Sequence, residues 1–260
     1  MSTLCWKRRL GWLLGGRLAA QRDVILIYHS VSGGALSVPE ARFCAQMAWL
    51  KDHACVTTLD ALLDAPNPGG LRVVLSFDDG YRTLHDIVHP ILAAQGFPAI
   101  VYLNSGLLGE DQHFPSRPEL GHYPDEHFLT WREAAYLAGH GWMVGGHGVD
   151  HVDLTKTSLE ETHMQLIDCK AKIEARLDVS CEHFAYTWGN YTPQVRAAVA
   201  NVGFRSAVAG LHGPLTQASD RFALPRVDIR AGYELRDFID VATGRWDYLG
   251  LKQRLARRLL

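Results

Sequence analysis

Two short clusters of ionisable residues carry the chemistry that this sequence offers. In the first, Asp78 and Asp79 follow an apolar run directly, and Gly80 comes after them. Adjacent carboxylates at the end of a buried strand are costly unless a cation or hydrogen bonds compensate their charge. Neighbouring side chains on a strand point in different directions, so one carboxylate could bind a metal while the other faces a substrate. The alternative is a solvated strand-to-helix turn in which an aspartate caps the helix.

The second cluster is a pair of histidines, His147 and His151, preceded by two glycines. Histidines four residues apart meet on one side of a helical turn and could share a metal ion. One aspartate with two histidines leaves coordination positions open, which suits a catalytic zinc or a similar ion. The alternatives are a pair of surface histidines and a structural metal site, but no cysteine lies near these residues.

Strands that alternate with helices are expected to position these clusters. Apolar, β-branched runs predict strands at 24–28, 71–77, 99–103, 142–144, 183–186, 205–208 and 226–229, and helical patterns predict helices at 40–53, 83–95, 130–140, 158–177 and 193–202. This alternation favours an α/β fold whose parallel sheet closes into a barrel or a barrel-like form. In such folds the functional residues lie at the carboxyl ends of the strands, where both clusters fall.

Composition narrows the function classes. The 260 residues are 47% hydrophobic and 21% charged, the balance of an ordinary globular protein, and the net charge of −2 disfavours a nucleic-acid binder. The five cysteines are scattered and predict no disulfide framework. The 13 histidines make metal or proton chemistry a serious expectation.

Together the motifs resemble those of the polysaccharide deacetylases, the NodB-homology or carbohydrate esterase 4 family. Residues 76–80, Ser-Phe-Asp-Asp-Gly, and the His-x-x-x-His of 147–151 are similar to the first two family motifs in order and spacing. The resemblance extends from about residue 24 to residue 229. Residues 27–31 and the Leu-Pro-Arg of 224–226 resemble a branch that acts on bacterial exopolysaccharides. The implied fold is a distorted (β/α) barrel of about seven parallel strands.

The resemblance also implies roles for individual residues. Asp79, His147 and His151 correspond to the metal ligands, and Asp78 corresponds to the general base. The implied cofactor is a divalent metal, zinc first, with cobalt or nickel as alternatives. The implied reaction removes N-acetyl groups from N-acetylhexosamine units of a bacterial glycan or of its lipid-linked precursor.

The third family motif, roughly Arg-Pro-Pro-Tyr-Gly, is only partly present at residues 185–189. Trp188 and the following glycine remain, so the Trp188 N–H is expected to stabilise the oxyanion. Ala185 stands where the family has the arginine that orients the base. Arg226 is the predicted replacement, and its alternative is a surface ion pair with Asp228 or a glutamate.

Two histidines compete for the role of general acid. His29 ends the first predicted strand, where the exopolysaccharide branch carries its acid. Residues 211–212, Leu-His, resemble the Leu-x-His motif of other family members. This motif precedes the Leu-Pro-Arg of 224–226 here, which is the reverse of the order expected from the resemblance. We expect His29 to be the acid. The long segment 104–129 is predicted to be either a sugar-stacking wall or a mobile surface insert, and its histidines are expected to be weak ligand candidates.

The ends of the chain are basic and amphipathic. Residues 1–20 contain four basic and no acidic residues, and residues 245–260 contain five basic residues and one acidic residue. Such ends resemble interfacial membrane anchors, and the alternative is a pair of terminal helices packed on the domain. We therefore expect a basic segment at 1–22, a catalytic domain at 23–232 and a basic helical segment at 233–260.

The enzyme is expected to be cytoplasmic and to lie at the inner membrane, and export is the alternative. Its expected partner is an N-acetylated glycan. The sequence leaves its oligomeric state open. Two other functions share the same residues. One is hydrolysis of another small N-acyl compound or cyclic amide, and the other is a non-catalytic glycan-binding relic.

Overall fold

A computed structural model of the chain describes residues 4, 6–8, 11, 21–251 and 253. Its strands are all parallel and lie in the order β7-β6-β5-β4-β3-β1-β8, with the short β2 pairing beside β3. This curled half-barrel of seven strands confirms the predicted α/β fold. The strands are β1 Gln21–Tyr28, β2 Cys55–Val56, β3 Gly70–Phe77, β4 Ile100–Leu103, β5 Met143–Gly146, β6 His183–Ala185, β7 Ser206–Val208 and β8 Val227–Asp228.

The helices that connect the strands agree closely with the predicted ones. They are α1 Glu40–His53, α2 Leu59–Asp64, α3 His89–Gln95, α4 Trp131–Gly139, α5 Leu159–Leu177, α6 Pro193–Asn201 and α7 Leu235–Ala242. Thr130 and Glu133 form a reciprocal capping box at the start of α4. Ser158 caps α5 by accepting a hydrogen bond from the Glu161 N–H.

The predicted helix at 83–95 is divided into two parts. A single π-helical turn, Leu84–Val88, precedes α3. Pro90 lies at the start of α3 and has no N–H to donate to the preceding turn, so a regular α-helix cannot continue through it. The sequence-based prediction also omitted β2 and α2, although Thr58 caps α2 with its side chain.

The sheet separates two apolar layers, as expected when helices cover a parallel sheet. Ile25, Val74 and Tyr102 belong to a smaller inner cluster, whereas Leu26 and Leu75 belong to the main core under the helices. The main core also includes three buried side chains from the C-terminal part of the chain, Phe238, Val241 and Trp246. Among the described residues, no helix is long and apolar enough to cross a membrane.

The register of the central strands decides what meets at their carboxyl ends. β1 and β3 pair in parallel along their full lengths, so that Tyr28 lies opposite Phe77. The Asp78 N–H continues this ladder by donating to the Tyr28 carbonyl at 3.0 Å. β8 pairs with β1 on its other side. The residues that follow β1 and β3 and those that flank β8 therefore share one end of the half-barrel.

Candidate metal centre and active-site cleft

The turn after β3 directs both carboxylates into the half-barrel. Asp79 and Gly80 both have a left-handed backbone, with φ of 70° and 71°. A Cβ at Gly80 would lie 2.6 Å from a methyl carbon of Leu103, so this position requires glycine. The carboxylates are almost fully buried, with 2% of Asp78 and 3% of Asp79 exposed. They therefore need compensation from their surroundings.

Asp79 lies at the centre of a set of metal-ligand atoms. Its Oδ1 is 3.5 Å from His147 Nε2 and 3.5 Å from His151 Nε2. The donor atoms of these three residues all lie within 4.8 Å of one another. Asp79 Oδ1 is buried and has no hydrogen-bond partner. An Asp-His-His set with an unpartnered carboxylate oxygen at its centre fits a divalent cation.

The two histidines do not meet on a helical turn, so that part of the sequence-based prediction was wrong. Residues 147–151 form an irregular loop after β5. Gly148 and His151 have positive φ values of 81° and 58°, which no right-handed helix accommodates. The loop nevertheless brings the two rings together, with centroids 4.9 Å apart.

Backbone carbonyls orient both rings. His147 Nδ1–H donates to the Ala185 carbonyl and His151 Nδ1–H donates to the Leu120 carbonyl, each at 2.7 Å. A carbonyl only accepts hydrogen bonds, so Nδ1 carries the proton and the Nε2 lone pair faces Asp79. Burial lowers the pKa of His151 to about 4, which keeps its ring neutral at physiological pH. Both histidines thus present their metal-binding atoms to Asp79.

Asp78 is paired with Arg226, which lies just before β8. The guanidinium donates to both carboxylate oxygens, at 2.6 and 2.8 Å, and both side chains are buried. Although burial opposes ionisation, the charge of Arg226 holds the pKa of Asp78 below its ordinary value. The sequence had left Asp228 open as the partner of Arg226, but Arg230 binds Asp228 at 2.7 Å instead.

His29 and His212 line the same cavity but face different groups. His29 follows β1 and stacks on Tyr123, with ring centroids 5.1 Å apart. The charge of His29 contributes to lowering the pKa values of Asp78 and Asp79. His212 Nε2 instead lies 3.8 Å from Asp247 Oδ1. The charge of His29 therefore acts on Asp78 and Asp79, whereas His212 faces Asp247.

Trp188 occupies a turn of 3₁₀-helix directly after β6 and has a left-handed backbone with φ of 59°. Its half-exposed ring lies over His151, with centroids 5.6 Å apart, and over Gly121, where a Cβ would lie 2.1 Å from the ring. Asp79, His151 and Trp188 are three of the six non-glycine residues with positive φ in the described chain. Each such backbone costs about 1–3 kcal/mol, and this concentration is typical of functional sites.

These residues surround one cavity of about 720 Å³. Tyr123 and Trp188 supply aromatic walls, and Lys7, Tyr233 and Leu249 bring both ends of the chain to its rim. The segment 104–129 is tied to the domain by backbone hydrogen bonds, including those from Ser105 and Gly106 to the loop after β5. Of the histidines of this segment, His113 hydrogen-bonds Glu133 and His122 lies beside Asp79.

His122 is one of the histidines of the segment 104–129 that the sequence predicted to be weak ligand candidates. Its Nε2 lies 3.9 Å from Asp79 Oδ1, and its side chain is fully buried. It belongs to no motif, and 42 intervening residues separate it from Asp79 in the sequence. Only the high histidine count hinted that a further histidine could contribute.

The fold is a half-barrel with a candidate metal site at the carboxyl end of its strands, and comparison with known sequences identifies its family. The sequence model of the polysaccharide deacetylases matches residues 65–207, more than half of the chain. The chain therefore belongs to the polysaccharide deacetylase family, hydrolases that act on N-acetyl amide bonds and are metal-dependent in general. The match contains Asp78, Asp79, His147 and His151, whereas His29 and Arg226 lie outside it.

Individual relatives agree with this assignment. The chain is 27% identical over 214 residues to YxkH of Bacillus subtilis, which is described as a polysaccharide deacetylase; the alignment covers 80% of this chain and 71% of YxkH. Among solved structures, the deacetylase PplD of Streptococcus pyogenes, determined with acetate, matches at a TM-score of 0.73 and 21% identity, covering 86% of this chain and 99% of PplD. IcaB of Ammonifex degensii matches at 0.74 and 19% identity, covering 89% and 100%. At these identities the structural matches show a shared fold.

Proposed function

We propose that this protein is a metal-dependent enzyme that removes N-acetyl groups from N-acetylhexosamine units of a bacterial glycan or of its lipid-linked precursor. One observation carries the proposal. The Asp79, His147 and His151 set lies in the same cavity as a buried Asp78–Arg226 pair and His29. Metal ligands, a base and an acid are therefore available to one bound substrate.

Asp79, His147 and His151 would hold the ion, which we propose to be zinc, with cobalt or nickel as alternatives. A divalent ion there would supply a Lewis acid that polarises the acetyl carbonyl and lowers the pKa of the attacking water. Asp78 would accept the proton of that water. The Arg226 fork keeps the Asp78 carboxylate ionised and fixes its orientation.

The remaining steps require an acid and a donor to the oxyanion. His29 would protonate the leaving amine, because it lines the same cavity and its charge lowers the pKa values of Asp78 and Asp79. The Trp188 N–H, in the turn after β6, would donate to the developing oxyanion. Protonation of the amine prevents its return to the acyl carbon and completes the cleavage of the amide bond.

The shape of the cleft supports a sugar in preference to a small cyclic amide. The cavity is large, and its rim carries the aromatic rings of Tyr123 and of Trp188, which is 52% exposed. Aromatic walls with a few convergent polar groups are typical of sites for ring-shaped ligands.

We further propose that the enzyme acts at the cytoplasmic face of the inner membrane through its basic ends. Trp6 is 64% exposed and Leu251 is 63% exposed. Both are close in sequence to residues that line the cavity, Lys7 and Leu249. Apolar side chains beside basic residues suit an anionic lipid surface. Co-sedimentation with anionic vesicles but not with neutral vesicles is the expected result, and no binding to anionic vesicles would contradict this placement.

Acetate release from N-acetylglucosamine oligomers and from lipid-linked N-acetylhexosamines tests the catalytic proposal. Wild type, Asp78→Asn and the exposed control Asp168→Asn would be compared after metal stripping and reloading. We expect Asp78→Asn to bind the ion but release no acetate, and Asp168→Asn to match wild type. Metal-loaded wild type that releases no acetate from either substrate would contradict the proposed substrate class. Full activity in Asp78→Asn would contradict the role of the base.

A further inference from the structure

One wall of the catalytic cavity carries positive charge that the proposed chemistry does not use. Apart from histidines, the described residues that line the cavity include three cationic and three carboxylate side chains, those of Lys7, Arg226 and Arg230 and those of Asp78, Asp79 and Asp228. Arg226 is bound to Asp78, and Asp79 belongs to the candidate metal set. Two cations, Lys7 and Arg230, are left with the single carboxylate of Asp228, so this wall has a net positive charge.

Arg230 is only partly occupied by Asp228. Its Nε–H donates to Asp228 Oδ2 at 2.7 Å, and its side chain is 63% exposed. Within the described part of the chain, the two terminal nitrogens, Nη1 and Nη2, have no hydrogen-bond partner. A guanidinium with free N–H groups at its outer end offers the paired donors that bind a phosphate in a fixed orientation.

Lys7 lies on the same wall, and no carboxylate of the described chain forms an ion pair with it. Its Nζ lies 5.8 Å from the centroid of the Trp246 ring. Burial lowers the pKa of Lys7, the charge of Arg230 lowers it further, and Asp228 opposes this only in part. The two cations are therefore close enough to repel each other. An anion bound by both would replace this repulsion with attraction.

A neutral donor lies on the same wall. Gln253 lines the cavity, and its Oε1 accepts the His212 N–H at 2.8 Å, which leaves its amide N–H groups to donate. Burial lowers the pKa of His212, and the charge of Lys7 contributes to this shift, so Lys7 lies near His212 as well. The wall therefore combines two cations with an additional hydrogen-bond donor, a combination that suits an anionic group.

Tyr123 connects this wall with the catalytic residues. Its ring stacks on His29, with centroids 5.1 Å apart. Burial raises the pKa of Tyr123, the charges of Asp228 and Asp79 raise it further, and the charge of Arg230 lowers it. The Tyr123 hydroxyl is thus within electrostatic reach of both the metal set and the cationic wall. A substrate with its acetyl group at Asp79 can therefore extend to Arg230 within one cavity.

We propose that Lys7 and Arg230 bind a phosphate group attached to the acetylated sugar, so that the preferred substrate is a sugar phosphate or diphosphate and not a neutral polymer. This inference rests on the proposed function and narrows its substrate class. The apolar side chains of Trp6 and Leu251, which are exposed near Lys7 and Leu249 in the sequence, favour a lipid-linked sugar phosphate over a soluble one. A neutral sugar would still reach the metal set but would leave both cations without an anion.

Acetate release from three N-acetylglucosamine derivatives tests the substrate class. The methyl glycoside is neutral, the uridine diphosphate derivative is a soluble diphosphate, and the derivative with a diphosphate and a short prenyl chain is lipid-linked. We expect kcat/KM to be at least about tenfold higher for both diphosphates than for the methyl glycoside, and highest for the prenyl derivative. Equal values for all three would overturn the phosphate subsite but not the proposed function. A higher value for the uridine derivative than for the prenyl derivative would overturn the lipid-linked source.

Variants test whether these two residues recognise the phosphate. Lys7→Ala/Arg230→Ala is compared with Lys51→Ala/Arg132→Ala, in which exposed residues of α1 and α4 are changed. The first variant should lose the preference for diphosphates, mainly through a higher KM, and the control should keep it. Lys7→Arg retains the charge and should retain more of the preference than Lys7→Ala. An equal loss in both single variants would indicate a structural role and overturn the assignment of Lys7.

Calorimetric binding to the metal-loaded full chain needs no catalysis. Uridine diphosphate glucosamine should bind wild type at least about tenfold more tightly than methyl glucosaminide does, and Lys7→Ala/Arg230→Ala should remove this difference. The same difference in a protein that releases no acetate would support the subsite and contradict the proposed function. Equal binding of the two sugars by a protein that does release acetate would overturn the subsite alone. Tight diphosphate binding that persists in the variant would place the phosphate elsewhere and overturn the assignment of both residues.

Discussion

The two halves of the catalytic cleft are assembled in different ways. On the metal side, Asp79, His147 and His151 come from two recognisable motifs, and backbone carbonyls orient both histidines. On the side that we propose to be the acid–base side, Asp78 is bound by Arg226 and its pKa is lowered further by the charge of His29; both partners lie outside the family match, near opposite ends of the chain. The metal side is thus built from local loop geometry, whereas the acid–base side depends on strand order.

This difference shows how a family motif can lose a residue without leaving a charge uncompensated. Ala185 stands where the family motif has its arginine, yet Asp78 still has a bidentate guanidinium partner. β8 pairs with β1, which pairs with β3, so an arginine beside β8 can reach the carboxylate that follows β3. The buried Asp78 carboxylate needs a guanidinium beside it, and an arginine from a different part of the sequence supplies it.

The largest effect is expected on the metal side. Asp79→Asn removes the negative charge between the two histidines and replaces one carboxylate oxygen with an amide nitrogen that cannot bind a cation, so metal affinity should fall by more than about 100-fold and acetate release should reach background. Calorimetric metal titration and acetate release check both effects on the same sample. Wild-type metal affinity in this variant would contradict the assignment of Asp79.

His29→Ala should separate the two sides of the cleft. Loss of a general acid lowers kcat by about 10²–10⁴-fold, while the metal affinity should stay at the wild-type value. His212→Ala is the matched control, because His212 lies beside Asp247 on the same cavity, and it should retain most of its activity. A larger loss of kcat in His212→Ala than in His29→Ala would reverse the assignment of the acid.

Arg226→Met should change both stability and pH dependence. Breaking a buried ion pair costs about 3–5 kcal/mol of unfolding free energy, measured by denaturant unfolding. Arg196→Met, which breaks an exposed pair with Asp220, should cost little.

The pH effect has a definite sign. Arg226 lowers the pKa of Asp78 in the folded protein relative to the unfolded chain. The pair therefore stabilises the fold fully at pH values above the pKa that Asp78 has in the unfolded chain. This stabilisation is lost as the pH falls through the lower pKa that Asp78 has in the folded protein. Without Arg226, burial raises the pKa of Asp78, and the acid limb of the pH–rate profile moves to higher pH. An acid limb that stays in place would show that Asp78 is not the titrating base.

Trp188→Ala should have the smallest effect of this series. The ring covers His151 and forms the cavity rim, but the proposed oxyanion donor is the backbone N–H, which the variant keeps. We expect KM for sugar oligomers to rise by less than about tenfold with little change in kcat. A large fall in kcat at unchanged KM would instead place the side chain in the chemistry.

Sequence periodicity predicted most of the fold because the strands are buried on both faces and the helices carry clear caps, such as Thr130 and Ser158. It placed Asp78, Asp79, His147 and His151 at strand ends. It assigned a helical turn to the loop after β5, because spacing alone cannot reveal that Gly148 and His151 have left-handed backbones.

Long-range contacts were less accessible to sequence reasoning. Arg226 was a candidate partner of Asp78, yet only strand order decided between Asp78 and Asp228. His122 had no motif at all, because its place depends on the packing of a long segment against Tyr81 and Phe128.

The most direct test of the account is a metal titration of stripped wild-type protein, followed by acetate release from an N-acetylglucosamine oligomer. The account predicts that activity rises linearly with added Zn²⁺, Co²⁺ or Ni²⁺ and reaches a plateau at about one ion per chain, bound by the Asp-His-His set beside Asp78. Acetate release that is equally fast in the stripped protein, or that fails to appear after one ion has bound, would contradict it.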